Sequence, residues 1–86
     1  MHRVLHALSD PVRLDIVRHL DREGEARCGA ISAPVGKSTL SHHFKTLREA
    51  GLTDTRSEGT TRIVSLRREE LDSHFPGLLD AVLSCR

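Results

Sequence analysis

The sequence predicts a small, mainly α-helical domain that carries one β-hairpin. Residues 37–52 form an amphipathic pattern in which apolar side chains recur at i, i+4 and i+7, namely Leu40, Phe44 and Leu47. Residues 53–57 and 61–66 are rich in Thr, Ile and Val, as strands are, with Glu58-Gly59 as the turn between them. Pro34-Val35-Gly36 separates this helix-hairpin unit from the helices before it.

Three further helices are expected before residue 37. A first short helix is suggested by Val4, Leu5 and Leu8. Ser9-Asp10-Pro11 is a start signal for the second, because a capping side chain stands before a proline tolerated in the first turn. Residues 28–33 are short and mixed and are predicted to form a brief third helix. A short helix, a tight turn and the helix from residue 37 have helix-turn-helix spacing.

The segment after residue 50 predicts a cap, the hairpin and a final helix. Ala50-Gly51-Leu52 resembles a helix end in which glycine takes the left-handed conformation. Another helical turn opens at Arg67, and Pro76 interrupts it, so the last helix is expected to restart near Phe75. The predicted order is α-α-α-α-β-β-α, a winged helix-turn-helix.

The composition limits the size of the core and the kinds of partner. With 86 residues, 37% of them hydrophobic, residues 1–86 form one domain with a modest core, which a dimer would enlarge. The core is expected to join residues of the second and fourth helices with Ile63 of the hairpin: Leu14, Ile16, Val17, Leu20, Leu40, Phe44 and Leu47. A formal net charge of +1 is weak for a nucleic-acid binder, so any such affinity requires cations concentrated on one face.

The chain resembles the ArsR/SmtB family of small dimeric bacterial repressors over nearly its full length. The matching strings are Ala7-Leu-Ser-Asp-Pro-Val-Arg-Leu14, Ser38-Thr-Leu-Ser-His-His-Phe-Lys-Thr-Leu-Arg-Glu-Ala-Gly-Leu52 and Glu58-Gly59. The resemblance implies a winged helix-turn-helix repressor that binds double-stranded DNA and releases it on a signal. It implies a recognition helix at about 37–50, a wing at about 53–66 and dimerisation through about 2–8 and 75–84.

The resemblance also indicates which side chains contact DNA and which form the dimer seam. The side chains expected at DNA are hydroxyls, an imidazole and cations that reach bases and phosphates: Lys37, Ser38, Thr39, Ser41, His42, Lys45, Arg56 and Arg62. For Ser38 and Thr39, capping of the helix start is the alternative. We expect His43 to be structural or adjacent to the dimer interface and not to read a base. Arg48 and Glu49 are expected to form a solvated face. The dimer seam is expected to use apolar residues of the first and last helices: Val4, Leu5, Leu8, Leu78, Leu79, Val82 and Leu83.

The sequence is compatible with two other functions besides that of a repressor. One is a metal- or redox-responsive sensor that uses Cys28 or a site assembled across the dimer; Cys85 is the other thiol. No specific metal site is predicted, since one thiolate is a poor anchor for a soft metal. The other is a winged helix that binds protein rather than DNA.

The sequence also gives expectations about enzyme activity, cofactors, an effector and cellular location. Gly36-Lys37-Ser38 looks like the end of a phosphate-binding loop, but the glycine required five residues earlier is Ile31. We therefore predict no enzyme activity and no cofactor. The sequence is compatible with an effector, either a small molecule or a metal, and does not identify it. Two cysteines and the lack of a long apolar run predict a cytoplasmic protein without a membrane partner.

Overall fold

Five α-helices and a three-stranded antiparallel sheet make up the part of the chain that the structure, a computed structural model, describes: residues 2–31 and 33–84. The elements are α1 His2–Leu8, α2 Pro11–Glu23, β1 Glu25–Arg27, α3 Lys37–Glu49, β2 Thr53–Glu58, β3 Thr61–Leu66, α4 Arg68–His74 and α5 Leu78–Ser84. The sheet has the strand order β1-β3-β2. This architecture confirms the predicted winged helix-turn-helix fold.

The segment before α3 differs from the prediction. A third helix was predicted over residues 28–33, of which Ser32 lies outside the described residues; the described part contains one 3-10 turn, Cys28–Ala30, and no α-helix. The preceding residues Glu25–Arg27 form β1, which pairs with β3 in the register Ala26↔Val64. Three residues with two charges give no strand pattern of their own, so this strand depends on the free edge of β3.

The C-terminal region forms two short helices, because the helical turn predicted to open at Arg67 is a complete helix that the predicted element order did not count. α4 ends at His74, and Gly77, with φ +80°, reverses the chain before α5 begins at Leu78. Pro76 lies in this break, as the sequence indicated, but the restart is at Leu78 and not near Phe75.

The end of α3 has the cap predicted for it, and the hairpin turn lies one residue later than predicted, because Glu58 pairs with Thr61 inside the sheet. Gly51, with φ +82°, donates its amide to Arg48, and the Leu52 amide donates to the Leu47 carbonyl at 3.0 Å. These two bonds complete a glycine-based helix cap. The β2–β3 loop is Gly59-Thr60, with Gly59 at φ +62°. Glycine readily adopts such a positive φ in tight hairpin turns. The cap fixes how the hairpin leaves α3.

The core joins all the helices to one face of the sheet. Its buried apolar side chains are Val4, Ala7, Leu8, Ile16, Val17, Leu20, Ile31, Leu47, Leu52, Val64, Leu71 and Leu79. Leu14, Leu40 and Phe44 are only half-buried against it. The strand residue that reaches the core is Val64, and the expectation for Ile63 was wrong because alternation along β3 turns Ile63 to the other face.

Candidate DNA-binding interface

A buried arginine joins α3 to the rest of the fold. Arg13 of α2 donates from Nε to the Ala7 carbonyl at 2.7 Å and from a terminal nitrogen to the His6 carbonyl at 3.3 Å, so it closes the C-terminal end of α1. Its other terminal nitrogen lies 3.1 Å from Nδ1 of His43 on α3. Because a guanidinium can only donate, His43 Nδ1 is the acceptor. His43 is buried and structural, as predicted.

The start of α2 stabilises the same junction. The Asp10 carboxylate accepts from the backbone amides of Val12 at 2.8 Å and Arg13 at 3.1 Å, and Pro11 stands in the first turn. The hydrogen bond from the Arg13 amide, with help from that of Val12, lowers the pKa of Asp10 although burial opposes it. The start signal predicted at Ser9-Asp10-Pro11 is confirmed.

With His43 and Leu47 buried, the opposite side of α3 is presented to solvent. The exposed residues include every predicted contact of this helix: Lys37, Ser38, Thr39, Ser41, His42 and Lys45. Gly36 is the N-cap of α3, and no side chain caps the helix. Ser38 and Thr39 therefore do not have the capping role considered for them, and their hydroxyls remain available at the surface.

A groove of about 590 Å³ lies between α3 and the hairpin; we call it the α3–hairpin groove. The α3 residues that line it are spaced by one, three or four positions along a single helical face: Lys37, Leu40, Ser41, Phe44, Lys45 and Arg48. Thr55 and Arg62 line its hairpin side. Arg48 is exposed, as expected for a solvated face, and it also lines this groove.

The two arginines of the hairpin lie on opposite faces of the sheet. Side chains alternate along a strand, so Arg62 shares the face of Val64, which is buried toward the helices. Arg56 pairs in register with Ile63 and lies on the other face. Arg62 therefore faces the α3–hairpin groove and Arg56 does not.

Carboxylates already hold the Arg56 guanidinium. It donates to both oxygens of Glu25 on β1, at 2.6 and 2.9 Å, and to Glu58 at 3.0 Å. The hydrogen bond from Arg56 lowers the pKa of Glu25. Two carboxylates thus offset the one positive charge of Arg56.

The cations that line the α3–hairpin groove differ from Arg56 in their pairing with carboxylates. In the described ranges, no salt bridge joins a carboxylate to Lys37, Lys45, Arg48 or Arg62, and no carboxylate is among the described lining residues. Acidic residues pair elsewhere instead. Arg68, for example, contacts Asp21 and Asp72 at 2.9 and 3.0 Å, and also Asp80. A net charge of +1 therefore conceals a groove lined by four cations and by no carboxylate among the described residues.

The predicted dimer residues divide into two groups. Val4, Leu8 and Leu79 are buried in the core of the chain itself. Leu78, Val82 and Leu83 of α5 are half-buried, and Leu5 of α1 is 48% exposed. Of the residues predicted for the dimer seam, only this second group of four keeps apolar surface exposed in the single chain.

Cys28 lies at the floor of the α3–hairpin groove, half-buried. Burial raises the pKa of its thiol, although Arg62 nearby opposes this, so the thiol is protonated at neutral pH. Among residues 2–31 and 33–84, no three His, Cys, Asp or Glu side chains come together as a metal site. Cys85 lies outside the described residues. None of the described helices is long and apolar enough to cross a membrane.

Taken with the fold, the exposed cationic α3 and its adjoining hairpin define a helix-turn-helix protein of the winged type. Residues 8–56 match the family described as a helix-turn-helix domain. The chain is 45% identical over 83 residues to an uncharacterized HTH-type transcriptional regulator, YceK, of Bacillus subtilis (strain 168), covering 93% of this chain and 83% of that protein.

Two further comparisons agree. The arsenical resistance operon repressor of Staphylococcus xylosus is 36% identical over 70 residues, which cover 80% of this chain and 67% of the repressor. The crystal structure of an ArsR family transcriptional regulator superposes with a TM-score of 0.77 at 22% identity, covering 93% of this chain and 89% of that one, and shows the shared fold. The chain belongs to the ArsR/SmtB family of transcriptional regulators, DNA-binding proteins that are not enzymes.

Proposed function

We propose that the chain is a homodimeric repressor that inserts α3 into the major groove of an inverted-repeat operator. The observation that carries this proposal is the exposed surface of α3 and the adjoining β3. Four cations without a salt bridge in the described ranges line the α3–hairpin groove, and the hydroxyl and imidazole groups predicted to contact DNA are exposed on α3. Such groups provide both the phosphate contacts that position a protein and the hydrogen bonds that read base edges. The relative from Staphylococcus xylosus, described as an operon repressor, supports repression over activation.

The side chains divide by the contact that they can make. Ser38, Ser41 and His42 carry short hydrogen-bonding groups in the first two turns of α3 and are proposed to read bases, with Thr39 beside them. Lys37 and Lys45 are proposed to hold phosphates on either side. Replacing one base-reading side chain should cost on the order of 1–3 kcal/mol of binding free energy.

The wing is proposed to contribute through Arg62 and not through Arg56. Arg62 faces the groove without a carboxylate partner among the described residues. A DNA phosphate can therefore bind the Arg62 guanidinium without breaking an existing salt bridge. Arg56 would first have to leave Glu25 and Glu58, which hold it at 2.6 to 3.0 Å. This division revises the expectation that both arginines bring the wing to DNA.

Arg62→Ala is expected to weaken DNA binding about tenfold, because the dimer then binds two fewer phosphates and releases fewer counterions. Fluorescence anisotropy with a labelled duplex measures the dissociation constant. The slope of log K against log salt should become shallower by about 1 for each phosphate that the variant no longer binds.

Arg56→Ala is the matched control, since it removes the same charge from the same hairpin. We expect the dissociation constant to stay within about twofold of the unsubstituted chain. An equal weakening in the two variants would show that the sheet face of the arginine does not matter, and the proposed wing contact would be wrong.

Dimerisation is proposed to use the exposed apolar group on α1 and α5. Leu5→Glu should give a species of 9.6 kDa in analytical ultracentrifugation, where the unsubstituted chain sediments at twice that mass. A carboxylate buried at an apolar seam without a partner is too costly to desolvate. Since Leu5 is 48% exposed in the single chain, the variant should keep its helical circular dichroism.

Leu5→Met controls for the change of side chain, because it keeps an apolar group of similar volume, and this variant should remain dimeric. If Leu5→Glu also sedimented as a dimer, the seam would have to lie elsewhere on the surface.

A further inference from the structure

The α3–hairpin groove is more apolar than a phosphate track requires. Its floor holds the buried Ile31 and the half-buried Cys28, Leu40 and Phe44. The raised pKa of the Cys28 thiol keeps it neutral, so it belongs to this apolar floor. A DNA phosphate binds the cations of this groove but has no apolar group that could cover such a floor.

The rim of the groove has the opposite character. Four cations surround the apolar floor, and none is neutralised by a carboxylate in the described parts of the chain: Lys37, Lys45, Arg48 and Arg62. Ser41 and Thr55 add hydroxyls that can donate to an anion. The cationic rim is therefore complementary to a negatively charged group of a ligand, and the apolar floor is complementary to a hydrocarbon group of the same ligand.

The size of the groove fits a small molecule. About 590 Å³ lies within the roughly 300–1,000 Å³ typical of sites for small organic ligands. Such sites combine apolar walls with a few polar groups that orient the ligand, and this groove is lined by both kinds of group, the half-buried Phe44 and the exposed Arg62 among them.

We propose that the α3–hairpin groove binds a small organic anion with an aromatic or alkyl body, its carboxylate or sulfonate at the cationic rim and its body on Phe44. A molecule bound there covers Ser41 and Lys45, so it excludes DNA from the same surface and acts as a competitive effector. The exclusion of DNA depends on the function proposed above, whereas the binding of the anion does not.

The binding is tested with 8-anilinonaphthalene-1-sulfonate, an aromatic sulfonate whose fluorescence rises in apolar surroundings, titrated onto the full chain. Arg62→Ala should raise its dissociation constant about fivefold, the effect of one partly exposed charge pair. Arg56→Ala, with the same change of charge on the other face, should stay within about twofold. Phe44→Leu should also weaken binding, because it reduces the apolar floor.

A neutral probe isolates the contribution of charge. N-phenyl-1-naphthylamine has the same aromatic body without the sulfonate, and its affinity should be equal in the Arg62→Ala and Arg56→Ala variants. If the sulfonate bound equally well to both variants, its site would not be the α3–hairpin groove and the proposal would be overturned.

Adding duplex DNA to the sulfonate complex then separates this inference from the proposed function. A fall in fluorescence as the duplex binds supports competition. Sulfonate binding that requires Arg62 but resists a saturating duplex supports the anion site and overturns DNA binding at this surface. DNA binding that requires Arg62 while sulfonate affinity does not change overturns the anion site and leaves the proposed function intact.

Discussion

Replacing Arg13 by methionine should lower the free energy of unfolding by about 3 kcal/mol. Arg13 is 8% exposed and donates to the Ala7 and His6 carbonyls and to His43 Nδ1. Methionine keeps an apolar stem of similar length but removes every donor. A buried acceptor without its partner costs about 1–3 kcal/mol, and Ala7 and His43 are both buried. Urea unfolding followed by circular dichroism, at one protein concentration, measures the change.

Arg22→Met provides the comparison on the same helix. The Arg22 side chain is 67% exposed, and its contacts with Glu23 and with Nδ1 of His19 both lie at the surface. Exposed pairs contribute little, so this variant should stay within about 0.5 kcal/mol of the unsubstituted chain. Equal destabilisation by the two substitutions would mean that the buried contacts of Arg13 do not hold α1, α2 and α3 together.

The affinity for DNA should fall by roughly 10³-fold between 50 and 200 mM salt. Each protomer offers the four cations of the α3–hairpin groove, so a dimer can reach six or more phosphates. Every phosphate contact releases condensed counterions and steepens the salt dependence by about 0.9 in log K. Anisotropy titrations across this range of salt measure the slope. A change of less than about tenfold would contradict phosphate binding by this surface.

Local patterns in the sequence predicted much of the fold. The 3–4 spacing of Leu40, Phe44 and Leu47 predicted α3, and Gly51 and Gly59 predicted its cap and the hairpin turn, because these signals act within a few residues. The strand β1 could not be predicted in this way. It exists only because β3, more than 30 residues later, offers it an edge.

The site was less predictable where it depends on contacts that are distant in sequence. The pairing of Arg56 with Glu25 spans 31 residues and removes an apparently suitable cation from the interface. Two signals were nevertheless present and missed. Arg13 continues the buried stripe of Ile16, Val17 and Leu20 at helical spacing, and Arg48 follows Lys37, Ser41 and Phe44 along one face of α3.

The central claim is that the exposed face of α3 binds DNA, and a gel-shift titration with the DNA immediately upstream of the chain's own gene tests it most directly. It would be run at 50 and 200 mM salt with the unsubstituted chain, Lys37→Ala and Ser41→Ala, and with Ser73→Ala as a control on the exposed surface of α4. We predict salt-sensitive binding that Lys37→Ala and Ser41→Ala each weaken and Ser73→Ala leaves unchanged. No binding at 50 mM would contradict the claim and favour a winged helix that binds protein. Equal binding by all four proteins would also contradict the claim, because DNA would then be bound by another surface of the chain.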